Sequence, residues 1–184
     1  MGATLVTIYF IRHGQSEFNA AFNPGDADPM IFDAPLTAKG LQQAQEAKAK
    51  VQELGIQHVI TSPFTRALQT ASTLFAGTHP IEVRAGHHEL LLHSCDVGRH
   101  PDALSSDFPD LDFSSLEPRW WYNEGTNSDE IAQEPQHHFK QRIETFVESL
   151  EAISPLPIAI VGHGNAFKEI IGTMLENCEI HRYR

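Results

Sequence analysis

Positive charge is scarce in this chain of 184 residues: 13 Lys and Arg stand against 24 Asp and Glu, a formal net charge of −11. Binding to nucleic acid or to an anionic membrane needs a positive surface that displaces counterions, so both are excluded as general partners. Any anion site must be local. Cysteine is scarcer still. Cys95 and Cys178 are too few and too far apart to form a disulfide framework or a Cys-x-x-Cys metal or redox spacing, and both read as reduced thiols. No run approaches the roughly 20 apolar residues that a bilayer span needs, and the stretch from Met1 to Ile11 lacks a positive n-region and a small-residue cleavage site. The expectation is a soluble, cytoplasmic protein. There is no internal repeat. What is present, 41% hydrophobic residues with ordinary glycine and proline, suits one substantial core, and a single domain over residues 1–184 is expected.

Apolar runs and turn signals divide the chain into alternating strands and helices. Thr4 to Ile11 is short and rich in β-branched and aromatic residues, which predicts a buried strand. Residues Asn23 to Pro35 hold three prolines, three aspartates and a glycine, and read as an irregular loop. Thr37 then caps an expected helix from Ala38 to Leu54, stopped by Gly55. Gln57 to Thr61 predicts the second strand, Phe64 to Phe75 a helix behind Pro63, and Ile81 to Val83 a short third strand. From Gly86 to Ser128 the pattern breaks into a lid-like insertion, with at most short helical pieces near Pro101 to Asp107. Asp129 to Ala152 carries Phe139, Ile143, Phe146, Val147 and Leu150 on one helical face, with Pro155 and Pro157 ending it. Pro157 to Gly162 is the fourth strand, Asn165 to Leu175 a helix, and Cys178 to Tyr183 a closing edge strand. Such alternation implies a three-layer α/β/α fold with a mainly parallel central sheet and right-handed crossovers.

Ligands of such sheets gather beyond the carboxyl ends of the strands. Arg12 and His13 follow strand one, Arg66 follows strand two, Glu89 strand three, and His163 strand four. One basic residue at a strand end is unremarkable, and singly each of these reads as a salt-bridge partner or a satisfied core histidine. Two Arg and two His at successive strand ends are better explained by a site for an oxyanion. A guanidinium offers a planar fork that matches phosphate, and Gly14 lets the backbone approach a bound group closely.

The run Ile11-Arg12-His13-Gly14-Gln15-Ser16-Glu17-Phe18-Asn19 resembles the signature of the histidine phosphatase superfamily, the phosphoglycerate mutase-like family. Pro35-Leu36-Thr37-Ala38-Lys39-Gly40 with Gln43-Ala44, then Thr61-Ser62-Pro63-Phe64-Thr65-Arg66-Ala67-Leu68-Gln69-Thr70-Ala71, and finally Val161-Gly162-His163-Gly164 resemble its further motifs. The resemblance spans about Thr4 to the C-terminus and is loosest over the insertion. It implies that His13 attacks a phosphoryl group to give a phosphohistidine, while Arg12, Arg66 and His163 neutralise the phosphoryl oxygens. Asn19 and Gly164 resemble auxiliary phosphate contacts. No cofactor is implied, because positioning and charge stabilisation do most of the work of phosphoryl transfer. A backbone carbonyl is expected to hold the second ring N–H of His13 and fix its tautomer.

Glu89 matches the position of the family's general acid. It departs from the usual pattern, with His87-His88 before it, and Asp96 is the reserve candidate. Apolar Leu90 to Leu92 should desolvate Glu89 and raise its pKa. His87, His88, His93 and Cys95 fit no standard zinc spacing, so no metal is expected. The third glycine of a dinucleotide turn is replaced by Phe167. Trp120-Trp121-Tyr122 reads as an anchor for the insertion in preference to a cleft lining. The resemblance covers both phosphatases and mutases. The insertion offers only Arg99 and Arg119 as spare cations, which favours a phosphatase acting on a small phosphorylated substrate or a phosphoprotein. A mutase is the alternative, and an idle phospholigand-binding module a third reading. Oligomeric state is left open.

Overall fold

The computed structural model describes residues 7–124, 131–153 and 157–184. Five strands form one sheet: β1 (Ile8–Arg12), β2 (His58–Thr61), β3 (Ile81–Val83), β4 (Ile158–Gly162) and β5 (Ile180–Arg182). Their order is β3-β2-β4-β1-β5, parallel throughout except for the antiparallel edge strand β5. Among the described residues six α-helices accompany them: α1 (Glu17–Ala21), α2 (Ala38–Gln52), α3 (Thr65–Phe75), α4 (Pro101–Asp107), α5 (Gln136–Ser149) and α6 (Gly164–Ile171).

Strand periodicity builds the layers. Successive side chains point to opposite faces of a strand, so the odd and even residues of β1 and β4 bury against different helices. Ile11, Val59, Ala159 and Val161 pack with Ala67, Ala71, Leu74 and Phe75 of α3 and with Val51 of α2. Ile8, Phe10, Ile60, Ile158 and Ile160 pack on the other face with Phe146 of α5 and Phe167 of α6. Phe10 stacks on Phe167 at 4.6 Å. The expected three-layer α/β/α fold is the one observed.

Register fixes where the strands stop. Arg12 lies opposite Gly162, and Val161 opposite both Ile11 and Thr61. The residues that follow, His13, Ser62 and His163, therefore emerge on one rim.

Several boundaries differ from the sequence reading. Asp129 and Pro155 lie outside the described residues, as do Thr4 to Val6 of the first expected strand. The helix expected from Asp129 begins at Gln136, behind Pro135 at its N-cap. Proline biases Glu134 before it away from helical backbone, so the apolar periodicity cannot extend upstream. α6 ends at Ile171, not Leu175, because Gly172 adopts φ 78° as a left-handed cap. β5 excludes Cys178, which also takes a left-handed φ of 58°. Ser16 and Asn19 cap the short helix α1, a single turn that the strand and helix signals do not announce. Between β3 and α5, Leu104, Phe113 and Trp120 pack on Phe64 and Leu68 of the α3 region and on Val83 of β3. Trp120 donates through Nε1 to the Arg99 carbonyl at 2.9 Å and meets Phe64 edge-on at 4.8 Å. This is the anchoring geometry expected of it.

Candidate active site

Two glycines allow the turn after β1 to pack tightly on the start of α2. A Cβ on Gly14 would lie 2.4 Å from the Gly40 carbonyl oxygen, and one on Gly40 would lie 2.1 Å from that of Gln15. No larger residue fits either place without moving backbone. The Gly14 N–H donates to Thr70 Oγ1 at 3.1 Å, tying the turn to α3. On the other side Asn177 Nδ2 donates to the His13 carbonyl at 3.0 Å, and the Cys178 N–H donates to the Arg12 carbonyl at the same distance.

His13 is buried in this frame. Its Nδ1 lies 2.6 Å from the Gly14 carbonyl oxygen. A carbonyl can only accept, so Nδ1 carries the proton and Nε2 keeps its lone pair. Burial, then the charges of Arg66 and Arg12, hold His13 well below the usual histidine range. The ring is neutral at physiological pH. Here the structure names the carbonyl that the sequence could not.

His163, the N-cap residue of α6, has its ring centre 5.3 Å from that of His13. Its Nε2 meets Ser62 Oγ at 2.7 Å, while its buried Nδ1 has no partner. Burial and the Arg66 charge also keep it well below the usual range. Arg12 reaches the Leu175 carbonyl through Nη1, and its buried Nε is unpartnered. A Cβ on Gly164 would come within 3.3 Å of that Nε. Buried polar atoms are nearly always satisfied. Two unsatisfied nitrogens around His13, on Arg12 and His163, are therefore a feature to explain.

Arg66 lies over the Phe64 ring, its Cζ 4.4 Å from the centroid. It donates to the Cys95 carbonyl at 2.7 Å and to Asp96 Oδ1 at 3.0 Å, an ion pair whose side chains are 3% and 5% exposed. Asp96 Oδ2 also accepts from the backbone N–H groups of Leu92 and His93, each at 3.2 Å. Glu89 accepts from three backbone N–H groups, Leu90 at 2.9 Å, Asn165 at 3.1 Å and Ala166 at 3.2 Å, the last two at the start of α6. Burial raises the carboxyl of Glu89, and repulsion from Asp96 raises it further. Burial also raises Asp96, opposed by Arg66. Asp96 is the carboxyl that Arg66 pairs directly, while Glu89 is held by backbone N–H groups. The raised pKa expected of Glu89 is there, but the apolar neighbours are joined by a cause that sequence did not reveal, the charge of Asp96.

The structure brings Arg12, His13, Arg66, Glu89, His163 and Gly164 to one rim. Asn19 differs. It is exposed, its Oδ1 accepts from the Ser16 N–H at 3.2 Å, and no hydrogen bond joins it to the other residues of the set. His87 and His88 bond the carbonyls of Val161 and Glu89, and among the described residues no three of His, Cys, Asp and Glu gather as a metal set. Sequence reading missed Ser62, Thr70 and Asn177. Each acts through a tertiary contact that no local pattern announces.

A buried neutral histidine flanked by cations on the carboxyl rim of a parallel sheet defines a class. Residues 8–184 match the model of the histidine phosphatase superfamily (branch 1), and the chain belongs to that superfamily, whose members are phosphatases and mutases. It is 29% identical over 184 residues to a Cronobacter sakazakii protein named "Probable phosphoglycerate mutase GpmB", covering 93% of this chain and 75% of that one. Identity rises to 38% over 71 residues with the Proteus mirabilis protein of the same name, but this match spans only 31% of its length and 38% of this chain. The fold matches the α-ribazole phosphatase of Shigella flexneri with a TM-score of 0.64 at 23% identity, over 95% of this chain and 88% of that one. It matches the Entamoeba histolytica phosphoserine phosphatase in complex with 3-phosphoglyceric acid with a TM-score of 0.61 at 20% identity, over 96% and 89%. Among the described residues no helix is long and apolar enough to cross a membrane.

Proposed function

We propose that this protein is a metal-independent phosphomonoesterase that works through a phosphohistidine on His13. The observation that carries the reading is the state of that ring: neutral, with Nδ1 bonded to the Gly14 carbonyl and Nε2 free, beside unpartnered nitrogens of Arg12 and His163. Nε2 of His13 attacks phosphorus, the bond to the leaving oxygen breaks, and Glu89 gives that oxygen its proton. Water then attacks the phosphohistidine, Glu89 takes a proton from it, the P–N bond breaks and inorganic phosphate leaves. Arg12, Arg66 and His163 donate to the phosphoryl oxygens through both steps, as a cationic cage does for a transition state that spreads charge over those atoms. The Gly164 N–H and the amide of Asn19 are auxiliary donors.

The substrate is a small phosphorylated molecule or a phosphoprotein, reached beneath a lid-like insertion at about residues 86–128 of a single domain, of which 125–128 lie outside the described residues. A net charge of −11 sets the surface against nucleic acid and anionic membranes, and suits a cytoplasmic enzyme. The mutase reading draws on the names of the relatives. Against it, Arg99 is already engaged by Asp107 at 2.6 Å and by the Ala103 carbonyl at 3.2 Å, which leaves exposed Arg119 as the one spare arginine of the insertion among the described residues. The test incubates wild type and H13A with p-nitrophenyl phosphate in EDTA. Chelator-resistant release by the wild type alone is expected. No release between pH 5 and 8, with phosphate transfer between 3-phosphoglycerate and a bisphosphate primer instead, would establish the mutase.

A further inference from the structure

Arg142, on α5 and absent from the motifs above, spends its whole guanidinium on the loop that carries Glu89. A guanidinium has five N–H donors, and all of them are used. Nη1 donates to the carbonyls of Gly86 at 3.3 Å and His88 at 2.8 Å, and Nη2 donates to that of Glu89 at 3.1 Å. Nε and Nη2 close a two-pronged pair with Glu134, each bond 2.7 Å. The Glu134 side chain is fully buried. Its remaining acceptor positions take His138 Nδ1 at 2.7 Å and the Leu91 N–H at 3.5 Å, while its own N–H donates to the Leu91 carbonyl at 3.0 Å. Although burial alone raises a carboxyl, the bonds from Arg142 win and hold Glu134 below the usual range, so it is ionised.

The result is a clasp that grips the backbone at 86, 88, 89 and 91, on both sides of Glu89, without touching its carboxylate. Three carbonyls of residues 86 to 89 pointing at one guanidinium leave the loop little freedom, and the Glu89 side chain is then delivered to the start of α6. Bidentate pairing suits this task because it fixes angle as well as distance. We propose that Glu134 and Arg142 are positioning residues for proton transfer by Glu89, an inference that rests on the phosphatase reading. Stability alone does not account for the buried pair, since an ion pair out of water roughly breaks even against apolar residues of the same volume. It sets the direction from which the acid meets the leaving oxygen, where a misplacement of an ångström costs rate.

Leaving-group dependence tests this, because an alkoxide must be protonated as it departs and a nitrophenolate need not be. The kcat/KM values of wild type, R142K, E134Q and E89Q, which report the step that expels the leaving group and not the later attack of water, are measured across a series from p-nitrophenyl phosphate through phenyl phosphate to a simple alkyl phosphate. R142K keeps the stem and charge but lacks the five-donor fork, and E134Q keeps the shape. Both are less disruptive than truncation. With the alkyl ester, each should lose about 10- to 100-fold, a part of what general acid catalysis contributes, and with the nitrophenyl ester no more than about threefold. The double variant E89Q/R142K should fall no further than E89Q alone, because residues that act as one unit are not additive. An active wild type with equal losses across the series, or with additive losses in the double variant, overturns the positioning role alone. A wild type inert toward every ester overturns the phosphatase reading and this inference with it.

Discussion

Replacing Asp96 with Asn removes a charge and almost nothing else, so it isolates the buried pair that holds Arg66. The two side chains are 3% and 5% exposed and 3.0 Å apart. Breaking such a pair by neutralising one partner costs about 3–5 kcal/mol, because the other charge is left in low dielectric. In D96N Glu89 is no longer repelled and ionises within Coulombic reach of Arg66, which offsets part of this and puts the expected loss near the lower figure, about 3 kcal/mol. For a chain of this size that corresponds to a fall in Tm of about 6–12 °C. Urea unfolding of wild type and D96N at pH 7 measures it, with the slope of the transition checked for two-state behaviour. Orthophosphate should then raise the stability of D96N more than that of wild type, because an anion that binds the folded state stabilises it by mass action and the freed guanidinium binds it more tightly. The variant also removes the repulsion that lifts Glu89, so the basic limb of its kcat profile should move to lower pH. A loss under about 1 kcal/mol would show that Arg66 is not desolvated as described.

Asp33 gives a pH test of stability. Burial pushes its carboxyl from 3.8 up to about 6, against two bonds from Thr65. A carboxyl whose pKa is higher in the folded state stabilises the fold while protonated, so its contribution is full below pH 3.8 and lost as pH rises through 6. At about 1.4 kcal/mol per unit, D33N should gain up to about 3 kcal/mol on wild type between acid and neutral pH. Chemical denaturation at several pH values reads this directly, and a pH-independent difference would contradict it. Gly14→Ala places a Cβ 2.4 Å from the Gly40 carbonyl oxygen, a clash with backbone. It should cost at least about 1–3 kcal/mol. Phosphomonoesterase activity should fall with it, since the Gly14 carbonyl that orients His13 must shift. Thermal melts and p-nitrophenyl phosphate turnover check both, and an alanine variant of wild-type stability would show that the turn has room.

The rim was legible because its residues directly follow strands that declare themselves by β-branched, aromatic runs. Register alone carries Arg12, His13 and His163 to one level, so recognising β1 and β4 was nearly enough. Arg66 and Glu89 could be placed by the same logic, and their company could not. The Arg66–Asp96 pair and the clasp of Arg142 on residues 86 to 89 join positions tens of residues apart, with no periodic relation to betray them. Local conformation misled the reading in smaller ways. Hydrophobic spacing on α5 extends the eye upstream of Pro135, whereas backbone sterics stop the helix there. Asn19 was read by its place in a motif, and that its side-chain oxygen also closes the cap of α1 was not foreseen. The insertion was expected to hold at most short helical pieces near Pro101 to Asp107, where α4 lies, but its apolar cluster on Phe64 and Val83, assembled from Leu104, Phe113 and Trp120 that no single helix or strand unites, was not legible.

The covalent intermediate is the most direct test of the account. Wild type and H13A are mixed with a radiolabelled phosphomonoester, quenched in the first turnover and mapped by peptide mass. A label that survives alkali but not acid, sits on the peptide holding His13, gains one phosphoryl group in mass and is absent from H13A is the predicted result. Turnover by the wild type with no labelled protein at any time, or label retained by H13A, would contradict nucleophilic catalysis by His13.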